Sequence, residues 1–158
     1  MGIPGDEAEG VRQGVDFLRE LNLTGKAAVG RRVAIIGGGN VAIDASRSAI
    51  RLGAEEVTIL YRRTRAEMPA WEEEIAAAEA EGTVLTYLSA PQEILVEDGR
   101  VWGLKAGEDE LPADVVVEDR FDPPLLDMER AAFAARALAE QLAGRATADR
   151  LRNGMLVQ

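Results

Sequence analysis

The sequence predicts an α/β fold, a parallel central sheet with helices on its faces and an antiparallel β-hairpin as a crossover connection. Three observations support this prediction. A short β-branched apolar run over 33–37 leads through three glycines into an amphipathic helix. A second apolar strand over 57–61 follows that helix, in the strand–helix–strand order that gives parallel sheets. The Asp98-Gly99 pair, a strong hairpin signal, precedes the last predicted strand. Together these features indicate a Rossmann-like unit of three layers.

The helices follow from the spacing of apolar residues. This spacing predicts a first helix over 9–21, with Val11 and Val15 facing inward. Glycines end the next two helices, which are predicted over 40–52 and 72–80. These helices are expected to lie on the faces of the sheet.

Four strands are expected to form the parallel sheet, and a hairpin connects the last two. The parallel strands are predicted over 33–37, 57–61, 84–88 and 114–117. Antiparallel arms over 93–97 and 100–105 flank the Asp98-Gly99 turn. We therefore expect this hairpin to be the crossover from the third parallel strand to the fourth.

The domain organisation is predicted in three parts. Residues 1–30 form an N-terminal lead-in and helix, and residues 31–118 form the nucleotide-binding domain. Residues 119–158 form a linker and a C-terminal helix, because an Ala-rich stretch over 126–143 carries apolar residues at helical spacing. We expect this helix to pack on the same domain. The alternative is a dimerisation or docking face, which would make the chain a homo-oligomer.

The stretch Gly37-Gly38-Gly39-Asn40-Val41-Ala42 is predicted to bind the pyrophosphate of a dinucleotide. Gly37 can turn sharply, Gly39 lets the backbone approach a phosphate, and Ala42 allows close packing of helix on strand. The free N–H groups of the following helix and its positive dipole end would point at the phosphates. The alternative is a tight connection without a ligand, in which Asn40 only caps the helix.

The cluster Tyr61-Arg62-Arg63-Thr64-Arg65 indicates which nicotinamide cofactor is preferred. An NAD site usually presents a carboxylate to the ribose 2′-hydroxyl at this position, whereas arginine accommodates a 2′-phosphate. The guanidinium groups of Arg62, Arg63 and Arg65 can bind that phosphate bidentately. NADP(H) is therefore predicted over NAD(H). The alternative is a solvated surface in which the arginines pair with residues such as Glu67.

Three segments resemble a known family. The segments 2–5, 37–44 and 61–70 are similar to the NADPH-binding domain of the glutamate synthase small subunit. That subunit belongs to the FAD- and NAD(P)-dependent oxidoreductases of the pyridine nucleotide-disulfide oxidoreductase type, which also include the corresponding part of dihydropyrimidine dehydrogenase. The Arg-Arg-x-Arg-x-x-Met-Pro-Ala string within 61–70 is the most specific part of the resemblance.

The resemblance implies a role for this chain in electron transfer. In that family the NADPH domain is inserted into an FAD domain, and hydride passes from nicotinamide to flavin. It implies that Gly37, Gly39, Asn40 and Val41 contact the pyrophosphate region and that the arginines bind the 2′-phosphate. FAD is thus implied, but the chain has no second glycine-rich motif for it. A flavin-binding domain or subunit is the expected partner, and we interpret the chain as part of a larger flavoenzyme.

One departure from the family pattern follows the last predicted strand. Where the family continues with small residues and glycine, this chain reads Glu118-Asp119-Arg120-Phe121. Acidic side chains near a phosphate-bearing ligand would weaken its binding. The bulky Phe121 could close the crevice.

Composition excludes several other functions. The 158-residue chain has a formal net charge of −10 and contains no cysteine and no histidine. An acidic balance argues against nucleic acid or an anionic membrane as partner. Without cysteine there is no thiol catalysis and no iron–sulfur ligand. The run Glu72-Glu73-Glu74 has no second carboxylate cluster at a defined spacing, so no metal site is predicted. We predict no catalytic side chain, and a cytoplasmic location, because no signal peptide or membrane-spanning run is visible.

Overall fold

A computed structural model of the chain describes residues 2–119, which are built around a parallel sheet of five strands. The strands in chain order are β1 Val11–Gln13, β2 Arg32–Ile36, β3 Glu56–Tyr61, β4 Val84–Tyr87, β5 Glu93–Glu97, β6 Arg100–Ala106, β7 Asp109–Pro112 and β8 Val115–Glu118. The helices are α1 Gly14–Thr24, α2 Asn40–Arg51 and α3 Glu72–Glu81, and a short 3₁₀ helix covers Arg65–Glu67.

The central sheet has the order β1-β8-β2-β3-β4, with every pair parallel. From β2 the chain moves outward to β3 and β4, and it returns with β8 on the other side of β2. The carboxyl ends of β2 and β8 therefore border a topological switch point, where open α/β sheets bind their ligands. Residues Val33, Ala34 and Ile35 of β2 are all buried, because both faces of this strand are covered.

The two faces of the sheet carry different layers. Alternate residues such as Ile35 and Ile59 pack on one face with Phe17, Ile43 and other residues of the three helices. The residues between them point to the other face and meet the second sheet. That contact is made by Ala34, Leu60 and Val116 with Ile94, Val101 and Leu104.

The second sheet is antiparallel, with the order β5-β6-β7. Asp98 and Gly99 form the turn between β5 and β6, with φ values of +49° and +81°. The predicted hairpin crossover is therefore confirmed, and so is the Rossmann-like fold class with its parallel central sheet. Strand β7 was not predicted from the sequence; it pairs with β6 and widens the crossover to three strands.

The prediction for the N-terminal segment is wrong in one respect. The expected helix over 9–21 is a short strand, β1, followed by α1, because Val11 pairs in parallel register with Val116. Val15, expected to face inward, is 63% exposed, and Phe17 is the fully buried residue of α1. The segment 1–30 thus supplies the edge strand of the sheet and one helix of its helical layer.

The predictions for the linker, Phe121 and the C-terminal helix over 126–143 lie outside the described residues. Within 2–119, no helix has both the length and the apolar character needed to cross a membrane. The same residues contain no cluster of three or more acidic side chains arranged to hold a metal ion.

Candidate functional site

The glycine turn joins the end of β2 to the start of α2 and admits no side chain at its first position. Gly37 has φ +134°, and a Cβ added there would lie 2.7 Å from the Cβ of Asp119. Its N–H donates to the carbonyl oxygen of Leu60 at 3.1 Å, which fixes the turn to the neighbouring strand β3. Both the conformation and the close approach therefore require glycine at position 37.

Gly38 is required for a different reason, the aromatic ring of Tyr61. An added Cβ at Gly38 would lie 2.5 Å from Cε2 of that ring. Tyr61 is 1% exposed, and its hydroxyl donates to the carbonyl oxygen of Glu67 at 2.8 Å. The carbonyl oxygen of Gly38 accepts from the N–H of Ala70 at 3.1 Å. The turn is thus held against the segment that follows β3.

Helix α2 begins beside this turn, with Gly39 at its N-cap position and no side-chain cap. The first N–H groups of any α-helix lack acceptors within the helix, so those of Asn40 and Val41 lie where an anion would bind. The Asn40 side chain does not cap α2, because its amide oxygen accepts from the N–H of Trp71 at 3.3 Å. Asn40 and Trp71 border a separate recess of about 240 Å³ between the starts of α2 and α3.

The three predicted arginines follow β3 but have different surroundings. Arg62 is exposed, and Arg63 is partly buried. The guanidinium of Arg65 instead donates to Glu72 at 2.8 Å, to Glu79 at 2.7 Å and to the Tyr87 hydroxyl at 3.2 Å. These acceptors raise the pKa of Arg65 above its usual value, Glu79 making the largest contribution. Arg65 therefore connects the start of the 3₁₀ helix to α3 and β4.

A cleft of about 480 Å³ opens at the carboxyl ends of β2, β3 and β8. Its size and its place at the switch point are typical of a nucleotide site. Of the predicted binding residues, Gly37 and Arg62 line it. The other lining residues are Ile3, Ile36, Leu60, Tyr61, Ser89, Ala90, Pro91, Glu118 and Asp119. The loop after β4, which carries Ser89 to Pro91, was not predicted to line the site, because no charged or glycine-rich motif distinguishes it.

Two acidic residues at the end of β8, Glu118 and the following Asp119, have different hydrogen-bond partners. The Glu118 carboxylate accepts from Nε2 of Gln13, on the neighbouring strand β1, at 2.7 Å. The Asp119 carboxylate accepts from the N–H of Gly39 at 3.1 Å and is 6% exposed. The sequence indicated acidic residues near the ligand, but only the structure distinguishes the one that contacts the glycine turn. Gln13 carried no sequence signal, because it lies on the strand that was predicted as helix.

Comparison with known proteins agrees with the fold. A sequence profile of the pyridine nucleotide-disulphide oxidoreductases matches residues 1–118. The chain belongs to this family. The relatives of this chain include glutamate synthase small chains, which confirms the resemblance inferred from the three motifs.

Two relatives and one solved structure illustrate these similarities. The chain is 46% identical over 108 residues to the NADP(+)-dependent formate dehydrogenase subunit beta of Moorella thermoacetica, which covers 66% of this chain. It is 41% identical over 107 residues, 62% of its length, to a putative glutamate synthase [NADPH] small chain of Cereibacter sphaeroides. The crystal structure of T. acidophilum thioredoxin reductase shares the fold, with a TM-score of 0.61, 18% identity and coverage of 80% of this chain and 42% of that chain.

The chain is much shorter than these relatives. The matched region makes up 15% of the formate dehydrogenase subunit and 26% of the glutamate synthase small chain. Both relatives are named as a subunit or chain of an NADP-dependent enzyme. This pyridine nucleotide-disulphide oxidoreductase chain thus corresponds to one part of larger, multi-subunit oxidoreductases.

Proposed function

We propose that this chain binds NADPH and serves as the hydride-donor module of a flavin-dependent oxidoreductase. The observation that carries the proposal is that Gly37, the first residue of the glycine turn, and Arg62 directly follow neighbouring strands and line one cleft. A dinucleotide whose pyrophosphate lies at the start of α2 would extend its adenosine half over the end of β3. The 2′-phosphate would then reach the arginines.

The residues that would hold the cofactor fall into two groups. Gly37, Gly38, Gly39, Asn40 and Val41 would bind the pyrophosphate through backbone N–H groups and by leaving space for it. Arg62 and Arg63 would bind the 2′-phosphate, because guanidinium groups keep their charge at neutral pH and form paired hydrogen bonds. Arg65 stays a predicted third ligand, but its guanidinium would have to leave the carboxylates that it now contacts.

The proposed chemistry belongs to the cofactors. When bound, NADPH supplies a hydride for a flavin, and the chain positions its nicotinamide without a catalytic acid or base. The flavin would be held by another domain or subunit, because the described residues contain one glycine-rich strand–turn–helix, the one at Gly37. The names of the relatives support the choice of NADPH, since they include NADP(+) and NADPH.

Calorimetric titration of the full 158-residue chain with NADPH and NADH tests the proposal. We expect micromolar binding of NADPH and clearly weaker binding of NADH, because only NADPH carries the phosphate that the arginines recognise. Equal affinities for the two nucleotides would contradict the assignment of Arg62 and Arg63. Adenosine 2′-monophosphate, which lacks the pyrophosphate, reports on the arginine half of the site alone.

A second candidate function is a non-catalytic interaction module that retains the nucleotide-binding fold. The contact between the Asp119 carboxylate and the Gly39 N–H favours it, because this contact places a negative charge where the pyrophosphate would lie. Under this alternative, neither nucleotide nor adenosine 2′-monophosphate binds to the chain. Binding of any of them with a preference for the 2′-phosphate supports the first function instead.

A further inference from the structure

We propose that the Asp119 carboxylate is an internal competitor of the dinucleotide pyrophosphate, so that binding requires Asp119 to release the Gly39 N–H. This inference rests on the proposed function and concerns how the same site is controlled. It assigns the competing role to one of the two acidic residues that end β8 and leaves Glu118 out of it.

The geometry places Asp119 on the donor that a phosphate would use. Its carboxylate Oδ2 lies 3.1 Å from the N of Gly39, the N-cap residue of α2. The N–H of Asp119 donates to the carbonyl oxygen of Ile36 at 2.8 Å, which keeps the backbone in line with β8. An added Cβ at Gly37 would lie 2.7 Å from the Cβ of Asp119, so the side chain packs directly on the turn.

The physical reason for competition is that both groups are anions that need the same partner. The start of a helix attracts one negative group through its N–H groups and its dipole. With the carboxylate in that place, an incoming pyrophosphate meets a group of like charge. Asp119 is only 6% exposed, so water screens this repulsion weakly. Glu118 lines the same cleft, but its carboxylate accepts from Gln13 on β1, which lies on the other side of β8 from β2 and the glycine turn.

The proposal predicts a specific pattern across ligands. Replacing the carboxylate should strengthen binding of every ligand that carries the pyrophosphate, by the same factor for NADPH and NADH. It should leave adenosine 2′-monophosphate unchanged, because that ligand reaches only the arginines. Substitutions at Arg62 and Arg63 should instead change the ratio of the affinities for NADPH and NADH.

The experiment compares wild type with Asp119→Asn in calorimetric titrations of the full chain. Asparagine keeps the size of the side chain and can still accept from Gly39, but it removes the charge. We expect at least about tenfold tighter binding of NADPH and of NADH, a shift of about 1.4 kcal/mol in each case. Asp109→Asn is the matched control, because it removes the same charge from an exposed position on β7 and should change affinity less than about twofold.

A second variant and a measurement on wild type protect the test against misfolding. Asp119→Ala also removes the carboxylate and should show the same gain for both nucleotides. In wild type, the side-chain carboxyl ¹³C resonance of Asp119 should shift when NADPH saturates the chain, because the Gly39 donor is lost.

Each outcome bears on the proposal in a defined way. Equal affinities of wild type and both Asp119 variants for NADPH would overturn it while leaving the proposed function intact. Weaker binding by the variants would also overturn it. If wild type does not bind dinucleotides but Asp119→Asn does, the competition is supported and the wild-type chain is a blocked site. If no variant binds any of the nucleotides, both this inference and the proposed function fail.

Discussion

Arg62, Arg63 and Arg65 lie within one short segment, yet their side chains have different surroundings. Arg65 is held by two carboxylates and a tyrosine hydroxyl, whereas Arg62 lines the cleft beside the glycine turn. An arginine that must release internal acceptors before it binds a ligand pays for this in affinity. We therefore propose Arg62, which lines the cleft, and its neighbour Arg63 as the main ligands of the 2′-phosphate.

Replacing Arg62 and Arg63 together with alanine should remove the preference for NADPH. We expect NADPH affinity to fall to the level of NADH, because the 2′-phosphate loses its charge-assisted hydrogen bonds while the pyrophosphate contacts remain. Calorimetric titration with both nucleotides measures this. Equal proportional losses for NADPH and NADH would show that the two arginines do not recognise the 2′-phosphate.

Replacing Arg65 with alanine should lower thermal stability. Glu72 and Glu79 of α3 lose their ion pairs with Arg65, and Tyr87 of β4 loses its hydrogen bond. Thermal unfolding followed by circular dichroism measures the change. The same variant should be titrated with both nucleotides. A fall in the NADPH to NADH ratio as large as that of the double variant would establish Arg65 as a third phosphate ligand.

Gly38 offers a test of the turn's packing. Gly38→Ala should destabilise the chain by about 1–3 kcal/mol, because the new methyl group overlaps the buried ring of Tyr61. Gly25→Ala is the comparison, since that glycine has φ +68° and no atom within 4 Å of the added Cβ. We expect the comparison to cost only about 1 kcal/mol, the penalty for a left-handed backbone. Urea unfolding of both variants distinguishes overlap from backbone strain.

Strand β8 is fixed to β2 at the end opposite the site by a carboxylate. Asp114 accepts from the backbone N–H of Arg32 at 3.0 Å and from its guanidinium at 2.7 Å. The guanidinium makes the largest contribution to lowering the pKa of Asp114, and the backbone N–H adds to it. The contact thus aligns the strand whose other end carries Glu118 and Asp119.

The lowered pKa of Asp114 gives a pH-dependent contribution to stability. Because the carboxylate is favoured in the folded state, its contribution is complete above the unfolded pKa of about 3.9 and is lost as pH falls through the lower folded pKa. Asp114→Asn should cost about 1 kcal/mol at neutral pH, given that the pair is partly exposed. Urea unfolding near pH 7 and near pH 3 should show the difference from wild type shrinking in acid. A constant difference would contradict the ionic role of Asp114.

The chain corresponds to a small part of the length of its relatives. We expect the purified chain to carry no flavin absorbance and to leave NADPH unoxidised when no flavoprotein is added. Absorbance spectra of the protein and of the nicotinamide measure both points. Visible flavin bound stoichiometrically would show that this chain completes a flavin site, against the proposal that another domain or subunit supplies it.

Local signals were sufficient for most of the fold. The apolar run predicted over 33–37 lies in β2 as far as Ile36, and the middle of that strand is buried on both faces. Asp98-Gly99 is a strong local signal for a turn, so strand β2 and the hairpin were predictable. Strand β1 was not predictable, because it has only three residues, and its single apolar residue, Val11, fits a helical spacing equally well. Its pairing with β8 joins residues about a hundred positions apart, and no local pattern encodes such a pairing.

The same division holds for the site. The roles predicted for the glycines at 37–39 and for the arginines at 62, 63 and 65 follow from residue type and spacing, because backbone freedom and charge are properties of single residues. The partner of each charged group depends on how distant strands align. The pairing of β8 with β1 and β2 places the Glu118 carboxylate beside Gln13 and the Asp119 carboxylate beside the Gly39 N–H. The proposed chemical class of the site could therefore be inferred from the amino-acid sequence. Only the tertiary structure shows which group contacts the Gly39 N–H.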